Sequence, residues 1–153
     1  DVPLSNVYIY DQLNYRHWDT WEDGAYSHVF LESVSAPSGS GLDLMTGEPH
    51  DCPQKPFGGD EDYIWSPDSK KVLYVTKKLA GTEYAVSTNS DIYEYNLETK
   101  ETTNLTAYNK GYDTHPLFSS TGTLAWRARS SRCCAAMLRA AHASIRVVVA
   151  ESA

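Results

Sequence analysis

The sequence predicts an all-β protein: a partial β-propeller of about two four-stranded blades plus an N-terminal strand segment. Three observations predict it. First, one segment occurs twice: Asp43-Leu44-Met45-Thr46-Gly47-Glu48 is answered 53 residues later by Asn96-Leu97-Glu98-Thr99-Lys100-Glu101. The register continues, with Asp60 mapping to Asp113 and Ile64-Trp65-Ser66 to Leu117-Phe118-Ser119. One residue is then deleted, so Val72-Leu73-Tyr74 faces Leu124-Ala125-Trp126. Second, the repeated unit has strand periodicity. Third, turn residues separate the strand-like runs where hairpins need them. A repeat of this length implies units that bury their apolar faces against their neighbours. Two units are too few to close or cap such an array, so the chain reads as a piece of something larger.

The elements follow in order. Ser27-His28-Val29-Phe30-Leu31 is a strand candidate near the N-terminus. The Pro/Gly/Ser stretch that holds Ser38-Gly39-Ser40-Gly41 reads as a flexible connection. Thr46-Gly47-Glu48 and Glu98-Thr99-Lys100 sit at hairpin turns. Ser66-Pro67-Asp68-Ser69-Lys70 is a second turn, in which Pro fixes φ and Asp and Ser bond their own backbone. Val72-Leu73-Tyr74-Val75 is an unbroken apolar run, expected of a strand covered on both faces. Asp91 to Leu97 alternates apolar and polar residues, with Ile and Tyr suited to a pleated surface. Four strands per unit suggest a propeller blade. The competing reading is an antiparallel sandwich with accidental internal similarity; the match across a turn and the aromatic-Ser pair after it weighs against that.

Charge divides the chain. The formal net charge is −7, which argues against a nucleic-acid partner. Residues 1–126 carry 8 basic and 19 acidic side chains, whereas residues 127–153 carry 5 Arg and 1 Glu. That tail also lacks Tyr, Trp, Phe, Gly, Pro, Asp and Lys, and it holds 8 Ala and the pair Cys133-Cys134. Two domains are therefore expected: an incomplete propeller over 1–126 and an anomalous Ala/Arg-rich tail over 127–153, helical or disordered. One reading makes the tail a native helix, since Ala135 to His142 are good helix formers. The other makes it the product of a lost reading frame.

The motifs resemble a known family. Tyr63-Ile64-Trp65-Ser66-Pro67-Asp68-Ser69-Lys70 is similar to the Ser-Pro-Asp-Gly signature of the TolB-like propeller repeat, with Ser69 in place of the usual Gly. Ser119-Ser120-Thr121-Gly122 in the second unit lacks the Pro and the Asp. Tyr15-Arg16-His17-Trp18-Asp19-Thr20-Trp21-Glu22-Asp23-Gly24 is more discriminating. Together with the strand at Ser27–Leu31 it resembles the N-terminal propeller of the prolyl oligopeptidase family of serine peptidases. The nearest branch is that of bacterial dipeptidyl-peptidases and acylaminoacyl-peptidases. The resemblance covers residues 1–126.

That resemblance implies a propeller set over an α/β-hydrolase domain of the same parent chain. It implies peptide substrates, a Ser-His-Asp triad in the hydrolase domain, and a periplasmic or secreted location. The propeller would gate access of short peptides to the catalytic cavity. The nucleophile of such enzymes lies on a Gly-x-Ser-x-Gly elbow. Ser38-Gly39-Ser40-Gly41 has the wrong spacing and no apolar strand before it, so no residue of this chain takes a catalytic role. The expectation is a chain without peptidase activity of its own. The runner-up reading is a noncatalytic TolB-like propeller that binds a peptide or protein partner.

Other candidate sites are weak in sequence. No cofactor or metal site is expected: His17, His28, His50 and His115 lack close pairing, and no Cys-x-x-Cys occurs. His28 is expected to pack in a strand or at a rim, and His115 to mark a strand entrance before Pro116. Asp60-Glu61-Asp62 offers oxygen ligands for a hard cation or for a peptide ammonium, against the reading of a solvated loop. Trp18, Trp21 and Tyr26 are expected to pack between strands or blades. Asn104-Leu105-Thr106 is a glycosylation sequon only in a glycosylating, secreting host. Cys52 is alone in the propeller-like part, so no disulfide framework is expected. No run approaches the ~20 apolar residues of a membrane helix. The chain opens on Asp1-Val2-Pro3 without a signal peptide, which says nothing of location if the start is missing.

Overall fold

The computed structural model describes residues 7–13, 15–35, 37, 39–129 and 146–150. Among the described residues, the regular structure consists of eleven short strands, one helical turn of α type and one 3-10 turn. The strands are β1 Arg16–His17, β2 Thr20–Trp21, β3 Phe30–Leu31, β4 Leu42–Asp43, β5 Tyr63–Trp65 and β6 Lys71–Thr76. Helix α1, Gly81–Val86, follows; then come β7 Asp91–Asn96, β8 Thr102–Asn104, β9 Tyr112–Phe118, β10 Leu124–Arg129 and β11 Arg146–Ala150. A 3-10 turn, Asp60–Asp62, leads into β5. All strand pairings are antiparallel. The fold is all-β and has the layout of a partial propeller.

The central sheet is a four-stranded meander, β5-β6-β7-β8. Its two inner strands explain the apolar run in the sequence. Side chains of a strand point alternately to opposite faces. On β6, Val72 and Tyr74 face one way, with Tyr93 and Tyr95 of β7, against Leu44, Met45 and Cys52 of the preceding unit. Leu73 and Val75 face the other way, with Ile92, against Trp126 and Ala128 of the following unit. Tyr74, Leu73, Val75 and Ile92 are all fully buried. Burying each such side chain contributes about 1.5–3 kcal/mol. The sheet is thus a middle layer between two neighbours, which is why polar alternation is missing from β6.

The units before and after carry matching pieces. β3 and β4 pair with Phe30 opposite Asp43, as β6 and β7 pair with Lys71 opposite Asn96. The Leu44 amide donates to the Val29 carbonyl at 3.0 Å, and Leu97 to Lys70 at 3.0 Å. β9 and β10 pair with Phe118 opposite Leu124, as β5 and β6 pair with Trp65 opposite Val72. The third sheet has the order β11-β10-β9.

The repeated turns match atom for atom. Asp43 Oδ1 accepts the Met45 amide at 2.8 Å, and Asn96 Oδ1 accepts the Glu98 amide at 2.8 Å. Gly47 and Lys100, at the same place in the two turns, have φ of 81° and 60°. In the other turn, Ser66 Oγ accepts the Lys71 amide at 2.9 Å and Ser119 Oγ accepts the Thr123 amide at 3.0 Å. The second turn is one residue shorter, which is the deletion visible in the sequence.

Three elements differ from expectation. The N-terminal strand is only Phe30–Leu31, because the backbone at Ser27 bonds elsewhere: its carbonyl accepts the Cys52 amide and its amide donates to Asp51. α1 occupies the loop between β6 and β7, without a side-chain cap. His115 lies inside β9 rather than at its entrance, with φ of 55°, at a register irregularity opposite Ala125–Arg127. The boundary drawn after Trp126 falls within β10, which runs on to Arg129. Arg146–Ala150 pairs along β10, with Val148 opposite Trp126. The Cys133-Cys134 pair and the helix expected at 135–142 lie outside the described residues, as do Ala36 and Ser38 of the Pro/Gly/Ser stretch.

Candidate functional site

The strand directions create two ends. The tight turns at 66–71, 96–102 and 119–123 share one end, since β5-β6, β7-β8 and β9-β10 are hairpins closed there. The opposite end carries Thr76, Asp91 and Tyr112, where Ser90 bridges to Tyr112 and joins the second and third sheets. The Ser90 hydroxyl donates to the Asp113 carbonyl at 2.7 Å and tightens that junction. Long loops cluster at this end, the usual place for binding residues on a rigid scaffold.

A crevice opens at each end. The one at the turn end has a volume of about 470 Å³ and lies among Ser66, Lys71, Phe118 and Trp126. Its lysine is already paired, Lys71 Nζ lying 2.9 Å from Glu94 Oε1. The one at the loop end, about 590 Å³, is lined by Lys55, Lys77, Tyr84, Tyr112, Arg127 and Arg129 among others, and by no Asp or Glu. It is the candidate site.

Three separate parts of the chain place its cations: the loop at Lys55, the end of β6 at Lys77, and β10 with Arg127 and Arg129. Lys77 follows β6 directly; its Nζ donates to the Tyr84 carbonyl and sits 4.2 Å from the centre of the Tyr84 ring. Tyr84 comes from α1. Burial holds the Lys77 ammonium below its ordinary pKa. Arg127 and Arg129 alternate along β10 with the buried Trp126 and Ala128, so period two sends them away from the core. Lys55 is the exception in charge balance: its Nζ lies 3.1 Å from Glu22 and 3.5 Å from Asp51. Among the described residues, no ion pair engages Lys77, Arg127 or Arg129.

The residues singled out from the sequence scatter. Asp60 is exposed in the 3-10 turn, whereas Asp113, its counterpart 53 residues on, is fully buried in β9. The shared position therefore has no shared role. Asp62 is the buried member of the acidic triplet. Its Oδ2 accepts the Gln54 amide at 2.9 Å and its Oδ1 the Thr114 hydroxyl at 3.3 Å. Burial raises its pKa, and no group of three ligating side chains exists among the described residues. Asp62 thereby ties the 3-10 turn to the Gln54 loop and to β9, while Asp60 and Glu61 stay exposed. His28 packs at a rim: Nδ1 lies 2.8 Å from Asp43 Oδ2 and Nε2 3.0 Å from the Glu48 carbonyl. Both partners are acceptors, and they fix the orientation of the ring. Among the described residues, no side-chain hydroxyl or thiol bonds to the His28 ring. His115 approaches Glu61 at 4.0 Å.

Trp18, Trp21 and Tyr26 are not packed between blades. Trp18 is 73 % exposed and Trp21 55 %. Trp21 instead stacks with Tyr10 and Tyr15 near the N-terminus, under the Arg16 guanidinium. Their closeness in sequence reflects a local surface cluster. In the sequon, Asn104 donates its amide to Asp91 and the Thr106 hydroxyl is fully buried, accepting the Ile92 amide at 3.0 Å. Cys52 is buried and unpaired, its thiol pushed up to about 12, chiefly by burial. Such a thiol is inert. Ser40 Oγ lies 2.8 Å from the Pro37 carbonyl and 3.2 Å from Glu32 Oε1, two local contacts that fit a loop and not an elbow.

Sequence reading missed the loop-end cations and the buried Asp113. Asp113 Oδ1 accepts the Asn109 amide at 2.9 Å and the Trp126 indole at 3.3 Å, while Oδ2 has no partner. The cations come from 55, 77, 127 and 129, too far apart for any local motif. The signal that could have found them is their local excess of positive charge in an acidic chain.

Repeated antiparallel sheets stacked face to face define a propeller-like β domain. Its relatives are peptidases: the chain is 41 % identical over 127 residues to the dipeptidyl-peptidase 5 of Porphyromonas gingivalis, covering 82 % of this chain and 19 % of that protein. It is 45 % identical over 115 residues to the same-named protein of Porphyromonas endodontalis, covering 74 % and 16 %. The dipeptidyl-peptidase 5 of Schizosaccharomyces pombe is 30 % identical over 135 residues, covering 80 % and 19 %. The resemblance to a serine-peptidase family read from the motifs therefore holds, for a chain that spans about a fifth of its curated relatives' length. No family model matches the chain, and no solved structure matches it. No helix among the described residues is long and apolar enough to cross a membrane.

Proposed function

We propose that this chain forms part of the propeller that gates substrate entry in a serine exopeptidase releasing short peptides from peptide N-termini. The observation that carries this is the 41 % identity to a dipeptidyl-peptidase over 127 residues, most of the chain. Supporting it, the sheet stacking leaves the loop ends of several units side by side, where a propeller presents its binding residues. The partner implied is an α/β-hydrolase domain of the same parent chain, and the location is periplasmic or secreted. No Ser-His-Asp constellation occurs among the described residues, and the one His–Asp pair has its second nitrogen on a backbone carbonyl. On this reading the chain positions and gates substrate, and the hydrolase domain performs the chemistry.

The test is an assay of the purified chain on dipeptidyl chromogenic substrates. No turnover is expected. Turnover abolished by a serine-directed reagent would overturn the noncatalytic role. Nucleotide sequence of the parent gene tests the rest: an α/β-hydrolase reading frame with a Gly-x-Ser-x-Gly elbow supports the peptidase assignment, and a propeller without one supports a peptide- or protein-binding module.

A further inference from the structure

We propose that the loop-end crevice is an anion subsite for a peptide carboxylate, held by Lys77, Arg127 and Arg129 against Tyr84 and Tyr112. Four observations converge on it. The crevice, about 590 Å³, has the size of small-molecule sites and suits a short peptide. Its lining contains two lysines and two arginines and no carboxylate. Lys55 is neutralised by Glu22 and Asp51, but the other three cations have no ion pair among the described residues. Residues 130–145, which join β10 to β11, contain no Asp or Glu, so this connection brings no carboxylate of its own.

Charge economy makes this unusual. The chain carries 20 acidic and 13 basic side chains, yet the acidic excess is absent here. Like charges brought together repel, and burying Lys77 weakens its hold on a proton. An arriving anion relieves both effects. Arg supplies a planar fork that matches a carboxylate with two parallel hydrogen bonds, and Lys adds a point charge. The Tyr84 ring already lies against the Lys77 ammonium, which fixes that charge at the wall. The apolar ring surfaces suit the body of a peptide, which favours a peptide acid over inorganic phosphate.

This deepens the peptidase reading by naming a group on its ligand, and rests on that reading only for the choice of peptides. The experiment is calorimetric titration of the whole chain, at low salt, with four probes. They are N-acetyl-trialanine as free acid, the same peptide as the amide, N-acetyl-Ala-Glu-Ala amide, and inorganic phosphate. Binding of the free acid with about tenfold loss for the amide is expected. If only the glutamyl peptide binds, the carboxylate comes from a side chain and the subsite still stands. Lys77→Gln and Arg127→Gln should each weaken binding about tenfold, with Arg127→Lys recovering part of it. Lys110→Gln, an exposed change elsewhere, should leave binding unaltered. Equal binding of acid and amide, unchanged affinity in the folded Lys77→Gln and Arg127→Gln variants, or binding of phosphate alone would overturn the proposal. None of these outcomes alters the turnover assay, so the two readings fail separately.

Discussion

Ser69 and Gly122 hold the same left-handed position in two equivalent turns, with φ of 58° and 86°, 53 residues apart. The amides of both close back on a serine carbonyl, Ser69 on Ser66 at 2.9 Å and Gly122 on Ser119 at 3.0 Å. This explains why glycine is the residue the turn calls for and why Ser69 is a departure. A side chain in the left-handed region costs about 1–2 kcal/mol. Ser69→Gly should therefore stabilise the chain by about 1 kcal/mol, and Gly122→Ala should destabilise it by about as much, read from urea midpoints at constant slope.

The two turns differ in burial, and that sets a second expectation. Ser66 is buried, and its hydroxyl lies 2.5 Å from Asp68 Oδ1 while accepting the Lys71 amide. Ser119 and its partner Thr121 are exposed, and Thr123 is half-buried. Ser66→Ala leaves a half-buried amide without its acceptor and should cost about 1–2 kcal/mol. Ser119→Ala should cost clearly less. Thermal melts of the two single variants compare them directly.

Asp113 predicts a pH dependence. Burial raises its carboxyl pKa above the ordinary range, against the opposing hydrogen bonds from Asn109 and Trp126. The folded state thus binds the proton more tightly than the unfolded state does. The stability this lends is fully present below the unfolded pKa, about 3.9, and is lost as pH rises through the raised folded value. Asp62, also raised by burial, acts in the same direction. Asp113→Asn keeps an oxygen for the Asn109 and Trp126 donors without burying a charge. It should flatten the fall in stability between pH 4 and pH 7, as measured by denaturant midpoints across that range. A variant that loses more stability at pH 7 than at pH 4 contradicts this.

Gly58 predicts a steric effect. A Cβ there would lie 2.2 Å from Asp62 Oδ2 and 2.4 Å from the Gln54 amide nitrogen. Both atoms belong to the bond that anchors the 3-10 turn before β5. Gly58→Ala should cost about 1–3 kcal/mol through overpacking, with the equivalent change milder at Gly59, where a Cβ would meet only the end of the Glu61 side chain. Chemical denaturation of both variants checks the ranking.

The fold was legible where residues act through their neighbours in sequence. Val72 to Val75 announced a strand covered on both faces, and it is one. Thr46 to Glu48 and Glu98 to Lys100 announced hairpin turns, and the structure closes both, with Asp43 and Asn96 side chains bonding the amides two residues on. The deletion between the units appeared as a shortened turn. What was not legible depends on contacts remote in sequence. Asp60 and Asp113 share a repeat position, but a turn exposes one and a strand buries the other. The six residues of α1 carry no cap or long apolar period to mark them. Trp18 and Trp21 looked like core residues by type, yet Trp18 lies in the turn of a hairpin whose strands are two residues long, Trp21 ends the second of them, and both are exposed. The loop-end cations meet only because the second and third sheets stack.

The account depends most on the central sheet being covered on both faces by equivalent neighbours. Thiol labelling of single-cysteine variants measures this most directly, with Cys52 changed to Ala and Cys133 and Cys134 to Ser. Val72→Cys tests the face toward Leu44 and Met45, and Leu73→Cys the face toward Trp126. Both cysteines are predicted to react only at the rate of global unfolding. Rapid labelling at either one in the native protein, with the other protected, would show a sheet open to water on one side and contradict the stacked arrangement.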